Sequence, residues 1–245
     1  MGISIAKTAG EGERLAKVVA AQVPCSRREA EQYISEGWVR VDGQVASTPQ
    51  QRVFSSQRVE VDSKASLGPP ISATFLVHKP AGLSAETVGA LLVEGARWKG
   101  DDSGIRPSKL HLQGLRPLMT LPAQASGLCV FSQDFRVLRK LTEEADLVEQ
   151  ELVAEVKGQI AHDGLARLGR GLLMDGLAMP PARVSWQSET RLRFAMKGIA
   201  PEWVDPMCVQ VGLELVALRR LRIGRVAMAG MPVGQWRYLP LGERF

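Results

Sequence analysis

The chain has 245 residues, of which 45% are hydrophobic and 5% aromatic, and a formal charge of +5. That length accommodates one large domain, or one large and one small, and the apolar fraction suffices for a buried core. No apolar run approaches the roughly 18 residues of a membrane span. The three cysteines, Cys25, Cys129 and Cys208, lie too far apart for a metal-ligand spacing, and they read as free thiols of a reducing cytosol.

The basic excess is uneven. Residues 191–245 hold nine Lys or Arg against four Asp or Glu, whereas residues 65–190 hold 13 against 14. The amino-terminal stretch MGISIAKTAGEGER has no apolar signal core, and Ala6 stands where a myristoylation motif needs Ser or Thr. A cytoplasmic protein is expected.

In chain order, Glu13 to Gln22 puts Leu15, Val18, Val19 and Val23 at helical spacing. Ser26-Arg27-Arg28-Glu29 is a capping box that opens a second helix, and Gly37 is placed to end it in a left-handed conformation. Trp38 to Val41 alternates, Asp42-Gly43 reads as a type I′ turn, and Gln44 to Ala46 returns. Val59 to Val61 reads as another strand.

Helix, capped helix, Gly, strand, Asp-Gly, strand resembles the alpha-L RNA-binding motif, over RLAKVVAAQVPCSRREAEQYISEGWVRVDGQVA. The resemblance implies RNA contacts for Arg14, Lys17, Ser26, Arg27, Arg28 and Arg40. Arg27 and Arg28 lie in the first turn of the second helix, where guanidinium forks and free N–H groups can hold phosphate together. Replacing both by Glu is expected to weaken RNA binding and spare the fold.

Residues 63–70, rich in Ser, Gly and Pro, read as a linker between a module over 1–62 and a domain over 71–245. Thr74 to Leu83 is a strand running into a turn set by Pro80 and Gly82, with Lys79 projecting from it. Residues 94–109 are polar and Gly-rich and read as a surface loop. Leu128 to Phe131 is an apolar strand, followed by a turn at Ser132-Gln133-Asp134 and a second strand. Helical spacing covers Phe135 to Leu147, and Val148 to Gly158 alternates as a strand. Near the end, strict alternation would put Arg220 and Arg222 on one exposed strand face, opposite Leu221 and Ile223. His111 and His162 have no partner spacing.

These segments resemble the pseudouridine synthases that modify single sites of ribosomal RNA, most closely their large-subunit branch. Met119 to Leu128 fills the frame Gly-Arg-Leu-Asp-x-x-Thr-(Ser/Glu)-Gly-Leu. His78-Lys79-Pro80-Ala81-Gly82 resembles Asn-Lys-Pro-x-Gly, and Gly230 to Arg237 resembles Gly-x-Pro-x-Gly-x-Trp-Arg. The implied fold is α+β: the alpha-L module followed by a mixed α/β synthase domain with a mainly antiparallel central sheet. The resemblance also implies an RNA partner, ribosomal RNA or a ribosome-assembly intermediate, with no cofactor, no metal and no membrane, and a monomer. It puts Lys79, Arg220 and Arg222 among the RNA-contacting residues.

The residues that carry the family's chemistry are replaced. Pro122 stands in place of the catalytic Asp, Thr120 in place of the Arg two before it, and Leu152 in place of the Tyr that packs against the flipped base. Asp205 falls where the Arg paired with the catalytic Asp is expected. A carboxylate kept ionised in a partly dry pocket needs a cation, and Pro122 offers neither charge nor nucleophile. The leading expectation is a non-catalytic RNA-binding member of this family. The alternatives are an active synthase with a relocated catalytic residue, and a scaffold for protein interactions.

Overall fold

The computed structural model describes residues 12–66, 72–174 and 176–245. The amino-terminal stretch before residue 12 and the part of the expected linker from residue 67 to 70 fall outside these. The chain divides into two compact units. Residues 106–113 belong by their contacts to the first unit, with residues 1–71, and the rest forms the second. The sequence-based reading places 106–113 in the stretch 71–245.

The first unit runs β1 (Glu13–Arg14), α1 (Leu15–Gln22), α2 (Arg27–Ser35), β2 (Val39–Val41), β3 (Gln44–Ala46), β4 (Arg52–Val53) and β5 (Val59–Val61). α2 forms where its signals lie. Ser26 Oγ accepts from the Glu29 N–H at 3.2 Å, and the Glu29 carboxylate accepts from the Ser26 N–H at 2.6 Å. Gly37 takes φ +75° after the helix, and Asp42 and Gly43 take φ +50° and +82° between β2 and β3, as a type I′ turn requires. The apolar stripe of α1 and α2 (Leu15, Val19, Ala30, Ile34) packs on Val39, Val41 and Val53 in one core. Each such side chain contributes about 1.5–3 kcal/mol when fully buried.

Residues 106–113 join this unit through specific contacts. The Arg106 guanidinium stacks 4.4 Å from the centre of the Trp38 ring and donates to Asp62 at 2.6 Å, and Ser108 Oγ donates to the Ser35 carbonyl. Asp62 is held ionised chiefly by the Lys64 N–H, with Arg106 adding to it.

The second unit runs β6 (Thr74–Lys79), β7 (Arg116–Leu118), β8 (Ser126–Ser132), α3 (Phe135–Thr142), β9 (Gln150–Gly158), α4 (Gly164–Arg170), β10 (Leu173–Met174), β11 (Leu177–Ala178), β12 (Arg183–Ser188), β13 (Arg191–Met196), α5 (Val204–Val209), β14 (Leu213–Ile223), β15 (Val226–Ala227) and β16 (Trp236–Tyr238). Its nine-stranded sheet has the order β12-β13-β9-β14-β8-β6-β16, with β15 on β14 and β7 on β8. β14 and β8 are parallel and the other pairs antiparallel. The fold is mixed α/β with a largely antiparallel central sheet, as the sequence implied.

Core clusters lie on both faces of β6 and β8. Phe75, Val77, Cys129 and Phe131 belong to one, and Leu76, Leu128 and Val130 to the other. That is why β6 and β8 are buried almost continuously along their length, whereas β9 alternates buried and half-buried positions. After β8 the expected second strand is absent: Asp134 accepts from the Arg136 and Val137 N–H groups at 2.7 and 3.4 Å and starts α3 instead.

Candidate functional site

Two places gather the residues singled out from the sequence. The first is a cleft of the first unit lined by Gly12, Glu13, Arg14, Lys17, Ala20, Arg27 and Arg52. It collects Arg14, Lys17 and Arg27 of the expected set and adds Arg52, which sequence reading missed. The cue for Arg52 was only its two-residue strand, a signal too short to read. Arg28 and Arg40 do not line the cleft, and Arg40 Nη1 donates to the Gly43 carbonyl of its own hairpin at 2.9 Å.

Ser26 does not offer an open helix end to phosphate. Its reciprocal bonds with Glu29 satisfy the Glu29 N–H and set a carboxylate at the α2 N-terminus. The Ser26 N–H and hydroxyl hold that carboxylate below its ordinary range. An anion approaching there meets a fixed negative charge, so cationic recognition falls to the cleft.

The second place is the loop between β7 and β8, at the centre of the second unit. Two buried cations hold it from opposite ends. Lys79, expected to project into solvent, is 0% exposed and donates to the carbonyls of Pro80, Ala123 and Ala125 at 3.2, 3.0 and 2.5 Å. Arg220, expected on an exposed face, is also 0% exposed. It donates to the Leu128 carbonyl and the Gln150 side-chain oxygen, both at 2.8 Å, and to the Met119 carbonyl. Burial pushes the Arg220 guanidinium down to about 10, against the favourable charges of Cys129 and Glu202. Burial likewise lowers Lys79.

The alternation that predicted a shared face for Arg220 and Arg222 is broken by a bulge. Arg220 pairs with Leu152, but Arg222 pairs with Glu151, the next residue back along β9. The extra residue, Leu221, turns the two arginines to opposite faces of the sheet. Arg222 is thereby delivered to the outer face, where it meets Glu149 at 2.6 Å and Glu151 at 3.1 Å.

Gly127 is required at the pocket. It has φ +114°, and a Cβ there would sit 2.2 Å from the Arg220 carbonyl oxygen. Met119 takes φ +46°, a region that favours glycine, the residue the family frame carries at this place. The Pro122 carbonyl accepts from the Ala125 N–H at 3.1 Å, and the Ala123 carbonyl from the Gly82 N–H at 2.8 Å. Leu152 is fully buried beside Arg220, Thr120 is exposed, and Asp205 is exposed on α5. The cation brought to the loop is therefore Arg220 rather than residue 205. The neighbouring cavity, lined by Thr120, Leu121, Cys129 and mostly apolar side chains, measures about 10 Å³, room for about one water molecule.

Among the described residues, no group of three or more His, Cys, Asp or Glu is placed to hold a metal ion, and no helix is long and apolar enough to cross a membrane. His111 is buried and His162 exposed.

The S4 domain family matches residues 13–59, the segment that folds as α1, α2 and their hairpin. The dual-specificity RNA pseudouridine synthase RluF of Salmonella typhi is 26% identical over 230 residues, which cover 92% of this chain and 75% of that protein. Ribosomal large subunit pseudouridine synthase B of Bacillus subtilis is 27% identical over 234 residues, covering 93% and 92%. Over most of its length the chain is therefore similar to pseudouridine synthases that act on RNA. A solved pseudouridylate synthase shares the fold, with a TM-score of 0.58 at 17% identity over 92% of this chain and 95% of that one. In this chain, then, an S4 domain precedes a synthase-like fold whose central loop carries Pro122 between two buried cations.

Proposed function

We propose that this chain binds ribosomal RNA without isomerising it. The observation that carries the reading is the chemistry around Pro122. Both buried cations of the pocket, Lys79 and Arg220, are hydrogen-bonded to main-chain carbonyls and the Gln150 amide, and to no carboxylate among the described residues. At Arg220 and Lys79, neutral oxygens stand where a carboxylate partner would otherwise be. Breaking and remaking the base-to-sugar bond needs a carboxylate at the sugar and a pocket for an extruded base. A side chain at position 122 without an ionisable group does not supply that carboxylate. Asp134, the nearest carboxylate along the chain, is engaged as the cap of α3.

The RNA partner is supported by the S4 domain at residues 13–59 and by the similarity to RNA pseudouridine synthases. The reading carries with it a module over 1–62 and a monomer acting in the cytoplasm, where ribosomal RNA is assembled.

The test is pseudouridine formation on large-subunit ribosomal RNA transcripts by the purified chain. The expected result is salt-sensitive RNA binding with no isomerised uridine. Isomerised product would overturn the non-catalytic reading in favour of an active synthase with a relocated carboxylate.

A further inference from the structure

In the ladder between β1 and β4, Arg14 stands directly opposite Arg52. Directly opposed residues of an antiparallel pair project to the same side with Cβ atoms about 4.5–5.5 Å apart, and like charges so placed destabilise the pair. Nothing nearby offsets this. Arg14 has no hydrogen bond or ion pair among the described residues. Arg52 donates only to the Gly12 carbonyl, at 2.8 Å. The single carboxylate lining the cleft, Glu13, lies 2.5 Å from Lys17, and Glu31 lies 3.4 Å from Arg27. The backbone holds the opposition in place. Gly12 is buried so closely on β4 that a Cβ would sit 3.0 Å from the Val53 carbonyl oxygen and 3.3 Å from the Arg52 Cβ.

Two opposed, exposed guanidinium groups with no carboxylate of their own are suited to an anion that both forks can grip at once, and phosphate geometry matches that fork. We propose that Arg14 and Arg52 form a cross-strand clasp for a backbone phosphate of RNA, with Lys17 and Arg27 on the same cleft wall engaging a neighbouring phosphate. The clasp rests on the RNA-binding reading above and assigns the contact to a strand pair, away from the α2 N-terminus that Glu29 closes. Bound phosphate cancels the cross-strand repulsion, so the pair that weakens the free domain strengthens the complex.

The test is titration of the full chain against a large-subunit ribosomal RNA transcript at several salt concentrations, with melting temperatures of the same samples. The variants are Arg14→Gln, Arg52→Gln and, outside the cleft, Arg28→Gln. Arg14→Gln and Arg52→Gln should each weaken binding roughly five- to tenfold and reduce the salt slope by about one phosphate. The melting temperature should hold or rise because a repulsion has been removed. Arg28→Gln should change affinity less than either. Wild-type binding with a normal salt slope but no loss in Arg52→Gln overturns the clasp and leaves the RNA reading standing. Loss of affinity together with a fall in melting temperature overturns it too, by making Arg52 a tether for Gly12. Complete displacement of the transcript by millimolar inorganic phosphate marks a small-anion site instead and overturns the RNA assignment. Absence of salt-sensitive binding by the wild-type chain removes the RNA reading and the clasp together.

Discussion

Two arginine-rich surfaces of this protein differ in what stands beside the arginines. On the outer face of the β12-β13-β9-β14 sheet, Arg183, Arg193 and Arg222 meet Glu149 and Glu151 at 2.5–3.1 Å, and Arg191 lies 3.9 Å from Glu155. Arg193 is bidentate on Glu151, with both bonds at 2.8 Å. These partners hold Glu149 and Glu151 below the ordinary carboxylate range, Arg222 foremost for the first and Arg193 for the second. In the cleft of the first unit, Lys17 and Arg27 each have a carboxylate partner, whereas Arg14 and Arg52 have none among the described residues. The carboxy-terminal segment carries the larger excess of basic residues in the sequence, yet on this sheet face each of the four arginines has a carboxylate neighbour. What makes a polyanion surface is the lack of local partners, and composition does not report that.

The largest expected effect comes from a third kind of arginine, buried and bonded only to neutral oxygens. Arg220→Met should destabilise the second unit by about 3–5 kcal/mol, because it strands the Leu128 and Met119 carbonyls and Gln150 in a dry interior. Urea unfolding measures this. A loss below about 1 kcal/mol would mean that water reaches these groups, and the contrast between buried and exposed arginines would collapse.

A smaller effect tests the matched lattice. Glu149→Gln with Glu151→Gln frees Arg183, Arg193 and Arg222 from their partners. Stability should fall by about 1 kcal/mol or less, since exposed pairs contribute little. Affinity for an RNA transcript should rise with a steeper salt slope. Unchanged binding would show that unpaired cations on a flat sheet do not suffice, and that the shape of the cleft matters as much as its charge.

The smallest effect is a pH dependence with a contribution from each unit. Burial lowers the pKa of His78, with the Arg219 charge acting the same way. Burial also lowers that of His111, and there the Glu36 charge opposes it. A histidine at about 6.5 in the unfolded chain then takes up its proton before the folded one does. The contribution to stability is complete above about pH 6.5 and is lost as pH falls through and below that value. The paired carboxylates lose their contribution only at lower pH, so the range from 7.5 to 5.5 isolates the histidines. Denaturation midpoints should decline across that range. His78→Asn, which keeps a donor for the Met231 carbonyl that His78 Nδ1 meets at 2.7 Å, should flatten the decline. Parallel curves for variant and wild type would remove His78 from this account.

Much of the first unit was legible because its signals are local. A capping box, a glycine at a left-handed position and an Asp-Gly turn each act within four residues, so Ser26, Gly37 and Gly43 appear in the structure in the roles their neighbours dictate. The segment from Met119 to Leu128 was legible for the same reason, including the proline at position 122. Charged residues were read less well. Lys79 and Arg220 were taken as solvent-facing because charged side chains usually are, yet both are buried where backbone carbonyls satisfy them.

By itself the sequence determined the local turns and caps, the alternation that builds β9 and the absence of an ionisable group at position 122, since each depends on residues a few positions apart. Tertiary structure alone decided which arginines are buried, paired or free. A one-residue bulge at Leu221 reversed the facing of Arg222 relative to Arg220, strand pairing set Arg14 against Arg52, and residues 106–113 packed with the first unit. Each of these depends on register and burial between segments distant in sequence, and electrostatic energy is set by the neighbour in space.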